Sequence, residues 1–270
     1  MNNKFNFSSK FKIANSLSLL LFILSILFIF FKGLNYGIDF KGGILLELRS
    51  KNINSSNIDD LRSKISTLEA GEVSIQNFGK DVDFLVRIQK QDGDQKQQIA
   101  MIEKVKSITN KDYEIRRSEF VGPVVGDELK TAGMLAVGLA LISIMVYIWF
   151  RFEWQFSIAA IIALTHDVVT TVGLFSILQL EFNLATIAAI LTTAGYSIND
   201  TVVIFDRVRE NLRRYKSKDH YFIYNKSINE TLSRTVITSV TTLVALFIIF
   251  FFGGAVLSDF SLAMIWGVLI

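Results

Sequence analysis

Apolar and charged residues are segregated into long blocks along this chain. Predominantly apolar runs occupy residues 13–31, 131–150, 156–178, 184–205 and 235–252, and a further run begins near Phe260. The five full runs approach the roughly 20 residues that a helix needs to cross a bilayer core. The last covers only 260–270, a rise of about 16 Å against a core of about 30 Å, so a sixth helix is expected to be incomplete as given. Lys4, Lys10 and Lys12 precede the first run without any acidic residue. A cleaved signal peptide would leave a small-x-small site behind it, whereas Lys32, Gly33 and Leu34 follow Phe31. The pattern predicts a retained transmembrane helix.

Residues 32–130 read differently: charges are frequent and near-balanced, and no apolar run is long enough to span. Patterning predicts strand 44–49, helix 56–70, strands 72–78 and 82–89, helix 94–109 and strand 113–119. Val82 to Ile88 alternates in part, as a half-buried strand does, while Met101, Val105 and Ile108 recur at helical spacing. The order βαββαβ is the ferredoxin-like split motif. The expected fold class is therefore an α-helical polytopic membrane protein with an inserted α+β ferredoxin-like extracytoplasmic domain. Its parts are 1–31 (cytoplasmic N-terminus and first helix), 32–130 (the inserted domain) and 131–270 (helices two to six, with a basic cytoplasmic loop at 207–234).

Composition and charge sharpen that outline. At 51% hydrophobic and a mean hydropathy of +0.41, the chain is too apolar for an ordinary soluble protein. The net charge of +3 matters less than where the cations lie. Arg151 joins the second and third helices, and Arg207, Arg209, Arg213, Arg214, Lys216, Lys218 and Lys226 join the fourth and fifth. The opposite turns, 179–183 and 253–259, hold no lysine or arginine. The positive-inside rule then sets the N-terminus in the cytoplasm and 32–130 outside. The lack of cysteine excludes disulfides and thiolate metal or redox sites. With Pro123 as its one proline, the chain has no proline kinks in its spans.

Candidate chemistry concentrates in the fourth run. Asn199 and Asp200 stand inside it, and an intramembrane carboxylate costs about 2.5 kcal/mol or more unless it is neutralised, paired or hydrated. Helical spacing gathers Thr193, Tyr196, Ser197 and Asp200 on one face, with Thr192 and Asn199 beside them. That face must look onto protein or a hydrated path. Arg234 enters the fifth run at a similar depth, above a hydroxyl stripe of Thr235, Thr238, Ser239 and Thr242. If those two helices pack, the guanidinium can pair with the carboxylate and tune its proton affinity; a static ion pair or a snorkelling arginine is the structural alternative. His166 and Asp167, mid-way along the third run, either extend a proton path or bond helices together. They do not make a metal phosphohydrolase, since His220 is the only other histidine.

Two glycine-bearing stretches flank the inserted domain. GLNYGIDFKGG (33–43) has no lysine followed by serine or threonine in register for a phosphate loop. It reads as a tight turn built on Gly37, Gly42 and Gly43, with Asp39 satisfying backbone donors. VGPVVGDEL (121–129) reads as the re-entry turn. The basic run after Arg207 reads as a solvated loop beside anionic lipid, with no fold for nucleic-acid binding behind it.

GLNYGIDFKGG, VGPVVGDEL, ALTHD, EFNLATIAAILTTAGYSINDTVVIFDRVRE, TLSRTVITSVTTL and FGGAVLSDFSLAM together resemble the SecD/SecF family of bacterial protein-export membrane subunits, within the RND superfamily. The likeness runs from residue 33 to 264. It implies six helices, an outer ferredoxin-like domain in the periplasm and a place in the inner membrane. It also implies a proton relay carried by Asp200 and Arg234, with protons as coupling ion and no other cofactor or metal. The implied partners are SecD, the SecYEG channel with YajC and YidC, and the unfolded polypeptide in transit. The implied role is a transport subunit rather than an enzyme. A small-molecule or lipid exporter half and a passive scaffold of the channel are the rival classes. Intramembrane proteolysis finds no GxGD, GxSG or HExxH motif.

Overall fold

The computed structural model describes residues 5–51, 58–68, 73–78, 80–89 and 95–270. The chain forms two compact units, one of Tyr36–Leu135 and the other of Met1–Asn35 with Ala136–Ile270. The first of these units overlaps the stretch 32–130.

The inserted unit opens with the second residue of a short strand β1 (Asn35–Tyr36) and a one-turn helix α2 (Ile38–Lys41). Then follow β2 (Gly43–Ser50), α3 (Ile58–Ser66), β3 (Val73–Phe78), β4 (Lys80–Gln89), α4 (Gln95–Thr109) and β5 (Tyr113–Val121). The strands form one antiparallel sheet in the order β3-β4-β2-β5. This is the ferredoxin-like arrangement that the βαββαβ order predicts. Expected element ends at Ser56, Ala70, Glu72 and Asp94 lie outside the described residues. Leu46 and Leu48 on the central strand, Val86 and Ile88 on β4, Leu61 on α3 and Val105 on α4 are fully buried and form the core. On the other side of the sheet Arg49 makes a two-pronged bond to Asp83, its partner in register (Nε–Oδ1 2.6 Å, Nη2–Oδ2 2.7 Å).

Both glycine stretches have a packing reason. Gly42 and Gly43 take positive φ (73° and 133°), where a Cβ is strained, as α2 hands over to β2. Gly37, at φ −73°, does not need the left-handed region. The expected turn at 121–129 is instead helix. Helix α5 (Pro123–Arg151) starts there because proline suits the first helical position, where no N–H is needed. Gly126 lets that first turn lie against α2: a Cβ there would meet the Gly42 nitrogen at 3.1 Å and the Phe40 carbonyl oxygen at 3.2 Å.

The other unit holds α1 (Phe11–Lys32), the body of α5, α6 (Trp154–Leu178), the two-residue strand β6 (Glu181–Phe182), α7 (Leu184–Arg214), α8 (His220–Phe252) and α9 (Ala255–Leu269). Among the described residues five helices are long and apolar enough to cross a membrane, α9 being shorter. Helix α1 packs on α6, α6 on α7, and α8 and α9 on α7. Two crossings are very close. A Cβ at Gly173 of α6 would overlap Ser25 of α1, and one at Gly267 of α9 would overlap Thr193 of α7. Small residues at such contacts let helix backbones approach, which drives association in lipid.

The basic stretch 207–234 is a correction. Only Tyr215 to Asp219 is non-helical; α7 runs on to Arg214 and α8 begins at His220, capped by the Asp219 carboxylate on the Tyr221 amide. Some of the charges that suggested a loop are cross-linked. Arg207 donates to Glu210 and Glu230, Lys226 pairs with Glu230, and Asn211 donates to Ser227 and Glu230.

Candidate functional site in the helix interior

Helix α7 starts at a capping box in which Asn183 and Thr186 satisfy each other's backbone amides. From that fixed start its polar residues do not share one surroundings. Thr193 turns to α9, its hydroxyl 3.2 Å from Met264 Sδ. Ser197 turns to α6 and donates to Asp167 Oδ2 at 2.6 Å. Thr192 and Asn199 are exposed on the outside of the unit. The single polar face read from spacing is therefore split among three surroundings, because the helix is contacted on two sides.

On α6, His166 Nδ1 lies 3.0 Å from Asp167 Oδ1, and the imidazole stacks on Phe22 of α1 (centroids 6.2 Å apart). The Asp167 backbone carbonyl also accepts from the Thr170 and Thr171 hydroxyls. Asp167 is thus held at both carboxylate oxygens. Asp200 is not. Half-buried and one turn beyond Ser197, it has a buried Oδ1 with no hydrogen-bond partner among the described residues. The Tyr196 hydroxyl, the Thr235 hydroxyl and His166 Nε2 are likewise buried and unpartnered there. Buried polar atoms left unsatisfied are the places where water or a proton carrier is expected.

Arg234 is exposed and makes no ion pair among the described residues. The pairing with Asp200 expected if α7 and α8 pack is not made, although the two helices do pack. The reason lies in the register. Bonds from Arg207 to Glu230 and from Asn211 to Ser227 align α8 antiparallel to α7, which sets Arg234 roughly one helical turn nearer the basic end than Asp200.

Of the glycine-motif residues, Gly42 and Gly43 shape the start of β2, and Asp39 lies in α2. They belong to the other unit.

Sequence reasoning missed the Gly173–Ser25 crossing, Phe22, and the buried Trp266 indole nitrogen that lacks a partner. A small-residue search of α1 against α6 would have found the first; nothing in the pattern points to the others.

The family description "Protein export membrane protein SecD/SecF, C-terminal" matches residues 100–270, and the SecD/SecF GG motif matches 27–52. The chain belongs to the SecD/SecF family. It is 42% identical to the protein translocase subunit SecF of Rickettsia felis, over 98% of this chain and 86% of that one. Against SecF of Rickettsia prowazekii the identity is 43%, over 98% and 85%. The crystal structure of SecDF from Thermus thermophilus, a translocon-associated membrane protein, superposes with a TM-score of 0.86 at 37% identity, over 98% of this chain and 36% of that one. A second SecDF crystal structure, in a super-membrane-facing form, gives 0.70 at 37% identity, over 100% and 37%. The chain thus spans a little over a third of the SecDF chains and most of the curated SecF subunits.

Proposed function

We propose that this SecF-family chain is an accessory subunit of the Sec translocase that, together with SecD, uses the proton motive force to promote export of polypeptides across the inner membrane. The supporting observation is Asp200, a mid-helix carboxylate whose buried oxygen has no hydrogen-bond partner among the described residues. Of the two acids in the helix interior, Asp167 is committed to His166 and Ser197, which leaves Asp200 free to gain and lose a proton. One charge crossing the whole membrane is worth about 2.3 kcal/mol per 100 mV, enough to bias a two-state helix arrangement several-fold.

Arg234 would tune that equilibrium by closing on Asp200 in one state and leaving it in another. A guanidinium side chain can cover the single turn between them by reaching along the helix. Exposed polar residues on the outside of α7 and α8, Thr192, Asn199, Arg234 and Thr241, favour a protein neighbour over lipid on that side. SecD is the neighbour that the family supplies. The N-terminus and the basic ends of α7 and α8 lie in the cytoplasm in this reading, with the inserted unit in the periplasm.

The open distance between Asp200 and Arg234 is the one observation that favours the passive-scaffold reading instead. Asp200→Asn separates the two, because it keeps shape while removing the proton site. In a strain lacking its own SecF, the variant should fail to restore export at low temperature although it is present at normal levels with SecD. Full restoration would sink the relay and leave the scaffold.

A further inference from the structure

The ends of α5 and α7 border an open surface hollow of about 550 Å³ lined by Arg151, Asp206, Arg209, Glu210, Arg213 and Arg214. Its two carboxylates are already engaged. Asp206 takes both its contacts from Arg151, at 2.8 and 2.9 Å, and Glu210 accepts from Arg207 at 2.6 Å. Arg209, Arg213 and Arg214 have no ion pair among the described residues, and Arg209 Nε is buried without an acceptor. Three guanidinium groups line the hollow without a carboxylate partner, Arg214 lying 5.6 Å over the Tyr215 ring. Such planar forks match the oxygens of a phosphate group.

The level of the hollow says where that phosphate comes from. Arg151 is followed and preceded by strongly exposed aromatics: Trp149 at 73%, Phe150 at 90% and Trp154 at 64%. Tryptophan beside arginine at the end of an apolar span marks the membrane–water boundary, the depth at which lipid headgroups lie. Soluble anions share the phosphate chemistry but gain nothing from the aromatic rim.

We propose that this hollow is a binding site for the phosphate of an anionic phospholipid, whose acyl chains run along the exposed aromatics at the end of α5. The site fixes the basic end of α7, the helix that carries Asp200, to the lipid surface. The assignment does not depend on the proton reading.

The test uses the full chain purified in detergent, with phosphatidylglycerol or phosphatidylcholine added in equal amounts and retained lipid read by native mass spectrometry. Phosphatidylglycerol should be kept about tenfold better, and Arg213→Gln with Arg214→Gln should erase most of that preference. Both side chains are exposed, so their loss leaves the helix packing alone. Lys216→Gln with Lys218→Gln removes equal charge from the neighbouring connection and should change retention less than about twofold. Equal losses in the two pairs would mean diffuse attraction and overturn the site. Equal retention of the two lipids by the unaltered chain would overturn it without any variant. Displacement of phosphatidylglycerol by excess inorganic phosphate would make it a soluble-anion site and overturn the lipid assignment; persistence of the lipid supports it.

Discussion

The two units of this chain are built inside out relative to each other. The inserted domain hides leucine, isoleucine and valine: Leu46, Leu48, Leu61, Ile65, Val86, Ile88 and Val105 are all at 1% exposure or less. The helical unit buries Ile148 and Phe175 too, but it hides serine and threonine alongside them, with Thr171, Ser176, Thr186, Ser227 and Ser261 fully buried, while Phe150, Phe251 and Phe252 stand out at 71% or more. Water repels apolar surface, so it drives large side chains inward in the first case. Lipid is as apolar as leucine, so in the second case only close backbone approach and interhelical polar contacts distinguish inside from outside. A large apolar side chain left exposed is therefore exceptional in the first unit and ordinary in the second.

The sharpest way to break the contrast is to truncate matched large side chains. Leu46→Ala at the centre of the sheet should destabilise the inserted domain by about 2–5 kcal/mol, from lost burial and the cavity left behind. Hydrogen exchange of peptides across β2, β4 and β5 in the full chain reads it directly. Phe251→Ala on the exposed side of α8 should leave exchange in the helices within the noise of the wild type. A comparable loss at Phe251 would mean that this surface is packed by protein rather than lipid.

Enlarging a small residue should do what truncation does not. Gly173→Val and Gly267→Val each drive a side chain into Ser25 or Thr193, where backbones already touch. Overpacking of this kind costs about 1–3 kcal/mol, seen as a lowered midpoint of thermal unfolding in detergent. Ser25→Gly combined with Gly173→Val should recover part of the loss, since it vacates the colliding atoms. No recovery would place the damage somewhere other than this crossing.

How much was legible beforehand follows the same division. The strands β2 to β5 and the helices α3 and α4 of the inserted domain are readable because alternating and 3.6-residue patterns report burial against water, whereas the single turn of α2 is too short to show a period. The spans were readable as runs, yet their inward faces were not, since an apolar run carries little periodicity. Asp200 stood out because a carboxylate inside such a run is costly. Its missing bond to Arg234 was not readable: the register depends on contacts between Arg207 and Glu230 that no local pattern encodes. The misreadings at 121–129 and 207–234 have one cause. Glycine, proline and dense charge usually interrupt helices, but here Pro123 starts one, Gly126 packs against Phe40 and Gly42, and Arg207, Glu210, Lys226 and Glu230 bond to each other.

A smaller effect separates polar interiors from apolar ones. Thr171 is fully buried in α6, and its hydroxyl donates at 2.7 Å to the Asp167 carbonyl of its own helix. That carbonyl also accepts from Thr170. Thr171→Val keeps the shape and removes one of two hydroxyl donors, so it should cost about 0.5 kcal/mol, the low end for a net intramolecular hydrogen bond. The reverse exchange, Val86→Thr in the inserted domain, puts a hydroxyl where no partner waits and should cost about 1–3 kcal/mol. Equal costs would erase the distinction drawn between the two interiors.

The least effect belongs to the surface of the inserted domain, where water screens charges that a lipid interior would not. Lys64 Nζ lies 2.7 Å from both Asp60 and Asp112. Its hydrogen bond to Asp112, then that to Asp60, holds the lysine above its ordinary value of 10.5. The same bond holds Asp112 below 3.8. The signs follow by linkage. A carboxylate with a lowered folded value contributes stability above pH 3.8, lost as pH falls through the folded value. A lysine with a raised folded value contributes below pH 10.5, lost as pH rises through the folded value. The midpoint of unfolding of this domain should therefore have a plateau that Lys64→Met lowers evenly between those limits, with the difference closing at both ends. Asp112 is 54% exposed, so added salt should shrink the difference across the plateau. A difference that persists undiminished at acid pH would mean that Lys64 acts through its packing over the Tyr113 ring, 5.8 Å away, rather than through its charge partners.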